Sequence, residues 1–251
     1  MRGTWTLFRK EVKRFMVVAM QTLLAPVISA LLYLVIFSHV MADRVTLYDG
    51  VPYTSFLVPG LIMMSMIQNA FGNTSSSLVF SKVTGSIIFV LLGPLSHLEF
   101  FIAFVAAAML RAVLVGLAIF LVADLFVGVT LVEPLFVLLF GLLGAAILAT
   151  VGLIAGIWAD KFDQAATFQN FVIMPLSFLS GVFYSIHSLP EIWQNLSRVN
   201  PLFYMIDGFR YGFFGQSDVP PYLGLAVMCG ALLILGIISV QMLRSGYKLR
   251  T

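Results

Sequence analysis

Residues 173–215 read IMPLSFLSGVFYSIHSLPEIWQNLSRVNPLFYMIDGFRYGFFG. The first half is apolar enough to enter a bilayer, but it breaks at Gly181 and again at Leu189-Pro190. The second half alternates aromatic and polar residues and sets Asn200-Pro201, Asp207 and Arg210 within apolar surroundings. This is neither a clean membrane span nor a water-soluble loop. It reads as a span that ends early, dips, and returns at the membrane face. Interrupted backbone at membrane depth survives only where protein or a water-filled cavity satisfies its polar groups. Such elements mark transport paths more often than plain spans do.

The rest of the chain agrees with a membrane setting. Hydrophobic residues make up 61% of the 251 positions and charged residues 10%, against roughly a quarter charged in a soluble domain. An all-α integral membrane protein follows. The net charge is +3, from 14 basic and 11 acidic residues. The one cysteine, Cys229, lies in an apolar run. An intrachain disulfide and a cysteine-based metal site are therefore excluded. Polar stretches are too short for a separate soluble domain, so residues 1–251 form a single transmembrane domain.

Residues 1–14 carry Trp5, Phe8 and Val12 at helical spacing, continued by Phe15, among Arg2, Arg9, Lys10, Lys13 and Arg14. This is an amphipathic helix suited to an anionic leaflet. The apolar run behind it is too long for a signal peptide. Spans are expected at 15–38, 54–71, 100–126, 135–158, 165–184 and 222–243, with a polar loop at 39–53. Residues 78–95, LVFSKVTGSIIFVLLGPL, hold only about a dozen uninterrupted apolar residues after Lys82, short of the ~20 a crossing helix needs. They read as a helix along the inner face.

Six spans place both ends on one side, and positive charge selects that side. Arg2, Arg9, Lys10, Lys13, Arg14, Lys82, Lys161, Arg244, Lys248 and Arg250 fall inside, and Arg44, Arg198 and Arg210 outside. A seventh span at 78–95 would erase this bias. Both termini are thus expected in the cytoplasm and the broken stretch, with short re-entrant helices at 186–215, outside.

Catalytic signatures are missing: there is no phosphate-binding Gly-Lys loop, GxSxG, HExxH or cysteine pair. His97 with Glu99, and Asp160 with Asp163, are the nearest approaches to metal ligands and read as interfacial loop residues, so no metal site is expected. Arg111 lies inside the third span, where an ionisable group is costly and a functional candidate, or a structural one that snorkels or pairs with a carbonyl. Gly141, Ala145, Ala149, Gly152 and Gly156 line the fourth span at close to four-residue spacing, which permits close helix packing within the subunit. Phe168, Phe171 and Phe178 fall within one face of the fifth span, at steps of three and seven, beside Gln164 and Met174. That face is suited to lining a path for an amphiphile.

The run GVFYSIHSLPEIWQNLSRVNPLFYMIDGFRYG resembles the signature region of the ABC-2-type (type-2 ABC exporter) permeases. Gly181, Phe183, Tyr184, Pro190, Asn200, Pro201, Asp207 and Arg210 match its Gly-aromatic span end, its Pro, its Asn-Pro and its acidic-x-x-Arg. The likeness extends to FLVPGLIMMSMIQNAF in the second span and to the basic amphipathic start. It is strongest for bacterial half-size permeases paired with a separate ATPase, including lipo-oligosaccharide and drug exporters. The resemblance implies a homodimer in the bacterial plasma (inner) membrane with two copies of a cytoplasmic ATPase, which would hold the ATP and Mg. This chain would hold no cofactor, catalyse nothing itself and bind no nucleic acid.

Carried onto this sequence, the path is lined by spans two and five, with Gln68, Phe71, Phe168, Phe171 and Phe178 as its residues. The cytoplasmic coupling segment is 78–95, with Lys82, Gly85, Ser86 and Pro94. The extracytoplasmic cap is 186–215, hinged at Gly181 and Pro190. Relatives commonly carry a Glu in the coupling segment, whereas 87–90 here are apolar. Docking on the ATPase is therefore expected to be apolar and little weakened by salt. Two rival classes are a membrane-embedded lipid-modifying enzyme, which needs convergent acid, base or metal groups, and a proton-driven carrier using Asp124 and Arg111.

Overall fold

The computed structural model describes residues 2–41 and 51–249. Asp43, Arg44 and Asp49 of the expected outer loop, and Arg250, lie outside the described residues. Among those described, helices α1 (Arg2–Met16), α2 (Ala19–Met41), α3 (Tyr53–Val83), α4 (Ile87–Leu91), α5 (His97–Val127) and α6 (Pro134–Trp158) lead to the broken region. That region holds α7 (Phe162–Phe168), a π-helical turn (Gln169–Ile173), α8 (Met174–Phe178) and a 3₁₀ turn (Ile186–Ser188). Helices α9 (Glu191–Val199), α10 (Pro201–Phe214) and α11 (Pro221–Ser245) complete the chain. Five of these, α2, α3, α5, α6 and α11, are long and apolar enough to cross a membrane.

Helix α3 is the centre of the bundle and packs on α5, α6, α10 and α2. It runs on past the expected end at Phe71, through the polar string 72–77, to Val83. The coupling segment expected at 78–95 therefore starts inside α3, and only α4 and the turns around it form a separate inner element. The polar string stays helical because its hydroxyls have local or interhelical acceptors. Ser75 Oγ donates to Phe71 O at 2.9 Å, and Thr74 Oγ1 donates to Ala149 O of α6 at 2.8 Å.

The small residues of α6 make that contact possible. A Cβ on Gly152 would collide with the Phe71 carbonyl and the Thr74 hydroxyl, and one on Gly156 would sit 3.2 Å from Ser75 Cα. The stripe therefore serves packing within this chain. Helix α5 starts with a capping box, Ser96 with Glu99, and ends at Gly128 in the left-handed conformation. Asp124 accepts from the Val129 N–H at 2.8 Å in that terminal turn. It thus belongs to the end of α5.

Helix α1 buries Leu7, Glu11 and Phe15 against α5 and α3. The face expected to be apolar is rotated: Trp5 is 62% exposed, while the acid Glu11 is 1% exposed.

Candidate functional site

The segment expected as the fifth span is a composite. Helix α7, the π turn and α8 total 17 residues, about 25 Å at 1.5 Å per residue. The expected boundaries, 165–184, shift to 162–178. The end at Phe178 leaves a series of backbone carbonyls with no helical partner, as any helix end does. Their partners come from four other parts of the chain. Asn200 Nδ2 donates to Leu176 O at 2.7 Å, Tyr184 Oη to Phe178 O at 3.0 Å, and Ser197 Oγ to Leu179 O at 3.1 Å. Arg210 Nη2 donates to Gly181 O at 2.8 Å and leans toward Val182 O at 3.4 Å. Tyr53 Oη, from the start of α3, donates to Phe183 O at 3.0 Å.

Each donor is positioned by its own local structure. Asn200 is also the N-cap of α10, its Oδ1 accepting from Leu202 N at 3.0 Å, and Pro201 follows at the first helical position. Arg210 is 1% exposed, and its guanidinium carbon lies 3.8 Å from the centroid of the Phe56 ring. Gly60 on α3 lets the 181–182 backbone come close; a Cβ there would lie 2.8 Å from Val182 O. Gly181 has φ +79°, the left-handed turn that ends the crossing.

Asp207 and Arg210 both point at backbone. Asp207 accepts from Asp218 N at 2.8 Å and Val219 N at 3.0 Å. Burial pushes its carboxyl up to about 6. Asp218 in turn accepts from Ser185 Oγ at 2.8 Å and Ile186 N at 2.9 Å. Asp218 was not foreseeable as a site residue: only its place in a short polar loop before Pro220 hints at it. The segment expected as a cap, 186–215, is in large part not a surface cover. Helix α10 is buried along most of its length between α6, α11 and α3, whereas α9 exposes Ile192, Leu196 and Val199. Pro190 is exposed at the start of α9.

The expected path residues separate. Phe71 is fully buried and stacks on Phe168 at 5.7 Å, tying α3 to α7. Phe171 is 78% exposed and Phe178 43%. Phe178 stacks on Phe183, which stacks in turn on Phe37 of α2. The π turn adds a residue between Phe168 and the rest, so the three phenylalanines do not share one face. On α3, Ser65, Gln68, Asn69, Gly72 and Ser76 form a half-buried polar stripe. At its centre Gly72 faces Gln169 of the π turn, whose Oε1 would lie 3.9 Å from a Cβ.

At the C-terminal end of α3, Lys82 turns back onto the bundle. Its Nζ donates to Ile157 O at 2.9 Å and Ala159 O at 2.7 Å and pairs with Asp160 at 3.3 Å. Lys248 Nζ donates to Trp158 O at 3.1 Å and to Asp160 at 2.8 Å. Two ammonium groups thus close the carbonyl end of α6. The Lys248 hydrogen bond holds the Asp160 carboxyl below its usual range, and that bond raises Lys248. Gly85, φ +70°, turns the chain into α4, and Ser86 Oγ lies 2.9 Å from Thr84 Oγ1. Beyond it the chain exposes Phe89 and Leu92, each 80%, and Pro94 is exposed on the same turn.

Arg111 joins a network that sequence reasoning did not assemble. Its Nη1 and Nη2 donate to Asn73 Oδ1 at 3.3 Å and Asn69 Oδ1 at 3.1 Å. Arg14 Nη2 reaches Asn73 O and Oδ1, both at 2.9 Å, and its Nε pairs with Glu11 at 3.1 Å. Ser77 Oγ donates to Glu11. The one signal for Glu11 was its solitary negative charge among the basic residues of α1.

Apolar helices, one of them broken and sealed by side chains from elsewhere, define a polytopic transport-type membrane protein. The family model described as ABC-2 type transporter matches residues 2–214. The chain is 37% identical over 246 residues to "Inner membrane transport permease YadH" of Escherichia coli (strain K12), covering 98% of this chain and 96% of that protein. It is 28% identical over 207 residues to "Nodulation protein J" of Rhizobium leguminosarum bv. viciae, covering 82% and 78%. It is 25% identical over 228 residues to "Nodulation protein J" of Rhizobium meliloti (strain 1021), covering 90% and 87%. The chain belongs to the ABC-2 type transporter family and is a multi-pass permease of the bacterial inner membrane. Membership implies association with an ABC ATPase subunit.

Proposed function

We propose that this permease is the membrane subunit of an ATP-driven exporter, working as a homodimer above two copies of a separate ATPase that binds ATP and Mg. It crosses the membrane six times, with both ends in the cytoplasm and 186–215 at the outer mouth. The cargo is an amphiphile, drug-like or a lipid-linked saccharide, moved out of the cytoplasm or the inner leaflet. The observation that carries the reading is the half-buried polar stripe of α3 beside the broken helix, on which Phe171 and Phe178 are exposed. A half-polar, half-aromatic face suits neither lipid nor a dry core, and a second copy opposite it makes a path. The exposed apolar tip around Phe89, Leu92 and Pro94, with Gly85 and Ser86 turning the chain into it, suits docking on an ATPase. Lys82 acts there by fixing α3 to the end of α6. Gly181 and Pro190 are the hinges through which tilting of the spans opens the outer end.

Phe171→Cys, with Cys229→Ala to remove the native thiol, tests the shared face. In membranes it should oxidise to a disulfide-linked dimer, while Leu125→Cys, on the 83% exposed far end of α5, should not. Crosslinking at Leu125 and none at Phe171 would remove the path from this face.

A further inference from the structure

We infer that Arg14 and Arg111, set side by side on Asn73, form a binding site for the phosphate group of an amphiphile entering the path from the inner leaflet. The inference rests on reading the α3 stripe as part of that path.

Charge is the first argument. Two cations, Lys10 and Arg14, stand beside one acid, Glu11, and a third, Arg111, meets Arg14 at Asn73. That acid already accepts from Arg14 and Ser77 and lies 3.6 Å from Lys10. Among the described residues Arg111 has no carboxylate within salt-bridge distance, and both its terminal nitrogens rest on neutral amide oxygens. A half-buried cation with its Nε sealed from water and no counter-charge is costly, and arginine does not shed its proton. Among the described residues no acid balances it, and an anion from outside the chain would.

Geometry is the second. Two guanidinium forks meet at Asn73 Oδ1, at 2.9 and 3.3 Å. Paired forks match the oxygens of a phosphate better than ammonium groups do. Arg111 Nε is buried without an acceptor, so the hydrogen-bonding capacity of the pair is not filled. Amide oxygens are acceptors that an anion replaces without leaving a charge behind.

Access is the third. The Arg14 side chain is 29% exposed. Asn69 belongs to the half-buried stripe with Gln68, Gly72 and Ser76, and Asn73 lies at its edge. Asn73 is ten residues, about 15 Å, along α3 from its inner end at Val83. A headgroup drawn in from the inner leaflet meets the two arginines before it meets Phe171.

The test uses the purified full-length permease in phosphatidylcholine nanodiscs, titrated with dioctanoyl phosphatidic acid, dioctanoylglycerol and inorganic phosphate. The expected result is binding of phosphatidic acid at least about tenfold tighter than the neutral lipid, a difference of ~1.4 kcal/mol. The preference should vanish in Arg111→Gln and Arg14→Gln and survive in part in Arg14→Lys. Arg14 is partly exposed near the end of α1, so its variants keep the test informative if Arg111→Gln does not fold. No preference in the wild type, or an intact preference in folded Arg14→Gln and Arg111→Gln, would overturn the site. Inorganic phosphate binding as tightly as phosphatidic acid would assign it to a free ion and overturn the amphiphile. No ATPase is present, so a negative result leaves the exporter reading standing. A failed Phe171 crosslink, conversely, leaves the anion site to be judged by its own titration.

Discussion

Arg210→Ala removes the side chain that holds the end of the broken crossing. The bond to Gly181 O at 2.8 Å is charge-assisted, a class that contributes about 1.5–3 kcal/mol. The cation over Phe56 at 3.8 Å is fully desolvated, which adds about 2 kcal/mol. Both contributions come from one side chain and overlap, so the expected loss is about 3–4 kcal/mol rather than their sum. At about 2–4 °C per kcal/mol for a chain of this size, melting should fall by about 10 °C. The assay is heating in detergent followed by size exclusion of the remaining monodisperse protein. Arg210→Met keeps most of the volume but leaves the Gly181 and Val182 carbonyls without a donor, so it should retain most of the loss. Arg210→Lys keeps charge and a donor but not the flat stack on Phe56, and should fall between. Melting of Arg210→Ala within about 3 °C of wild type, under about 1.5 kcal/mol on the same scale, would refute the claim that this guanidinium holds the end of the broken helix.

Gly60→Val should abolish accumulation of folded protein, because its side chain would enter the Val182 carbonyl; normal yield and melting would show that the backbone can move aside. Asp160→Asn should free the tail, read as faster proteolysis after Ser245. The pH dependence of that contact follows from the two shifts. The depressed Asp160 contributes from above the ordinary carboxylate range and is lost only as pH falls through its lowered value. The raised Lys248 contributes below the ordinary ammonium range and is lost only as pH rises through its higher value. Tail protection should therefore be flat between pH 5 and pH 8 in the wild type, and a change within that window would count against the contact. Phe89→Asp should leave the permease in the membrane but reduce co-purification of its ATPase, while raising salt alone should not; unchanged recovery of the ATPase would move docking elsewhere.

Hydropathy made the long apolar helices legible, and the Gly and Pro punctuation of 173–215 marked the region where the helix after α6 breaks off. What escaped was polar sequence inside helices. Asn73, Thr74, Ser75 and Ser77 fell beyond the expected end of the second span because a hydropathy window treats every polar residue as hydrated, whereas these four point at α1, α5, α6 and their own preceding turn. Glu11 escaped for the related reason that an amphipathic pattern sorts it to the wet face, and only Ser77 and Arg14, far apart in sequence, bring it inside. The signature residues Asn200 and Arg210 were visible as a pattern, but their targets were not, since hydrogen bonds to main-chain oxygen leave no trace in the identity of the acceptor. The π turn has no composition of its own, so the phenylalanine face drawn on a regular helix was off by a residue.

The donors that seal the broken crossing stand at fixed distances along the chain from the oxygens they serve. Ser197 reaches back eighteen residues, Asn200 twenty-four and Arg210 twenty-nine. Between residues 184 and 200 the chain should therefore accept changes of identity at outward positions such as Ile192 and Val199 far more readily than a change of length. One inserted or deleted residue would put several of these donors out of step at once.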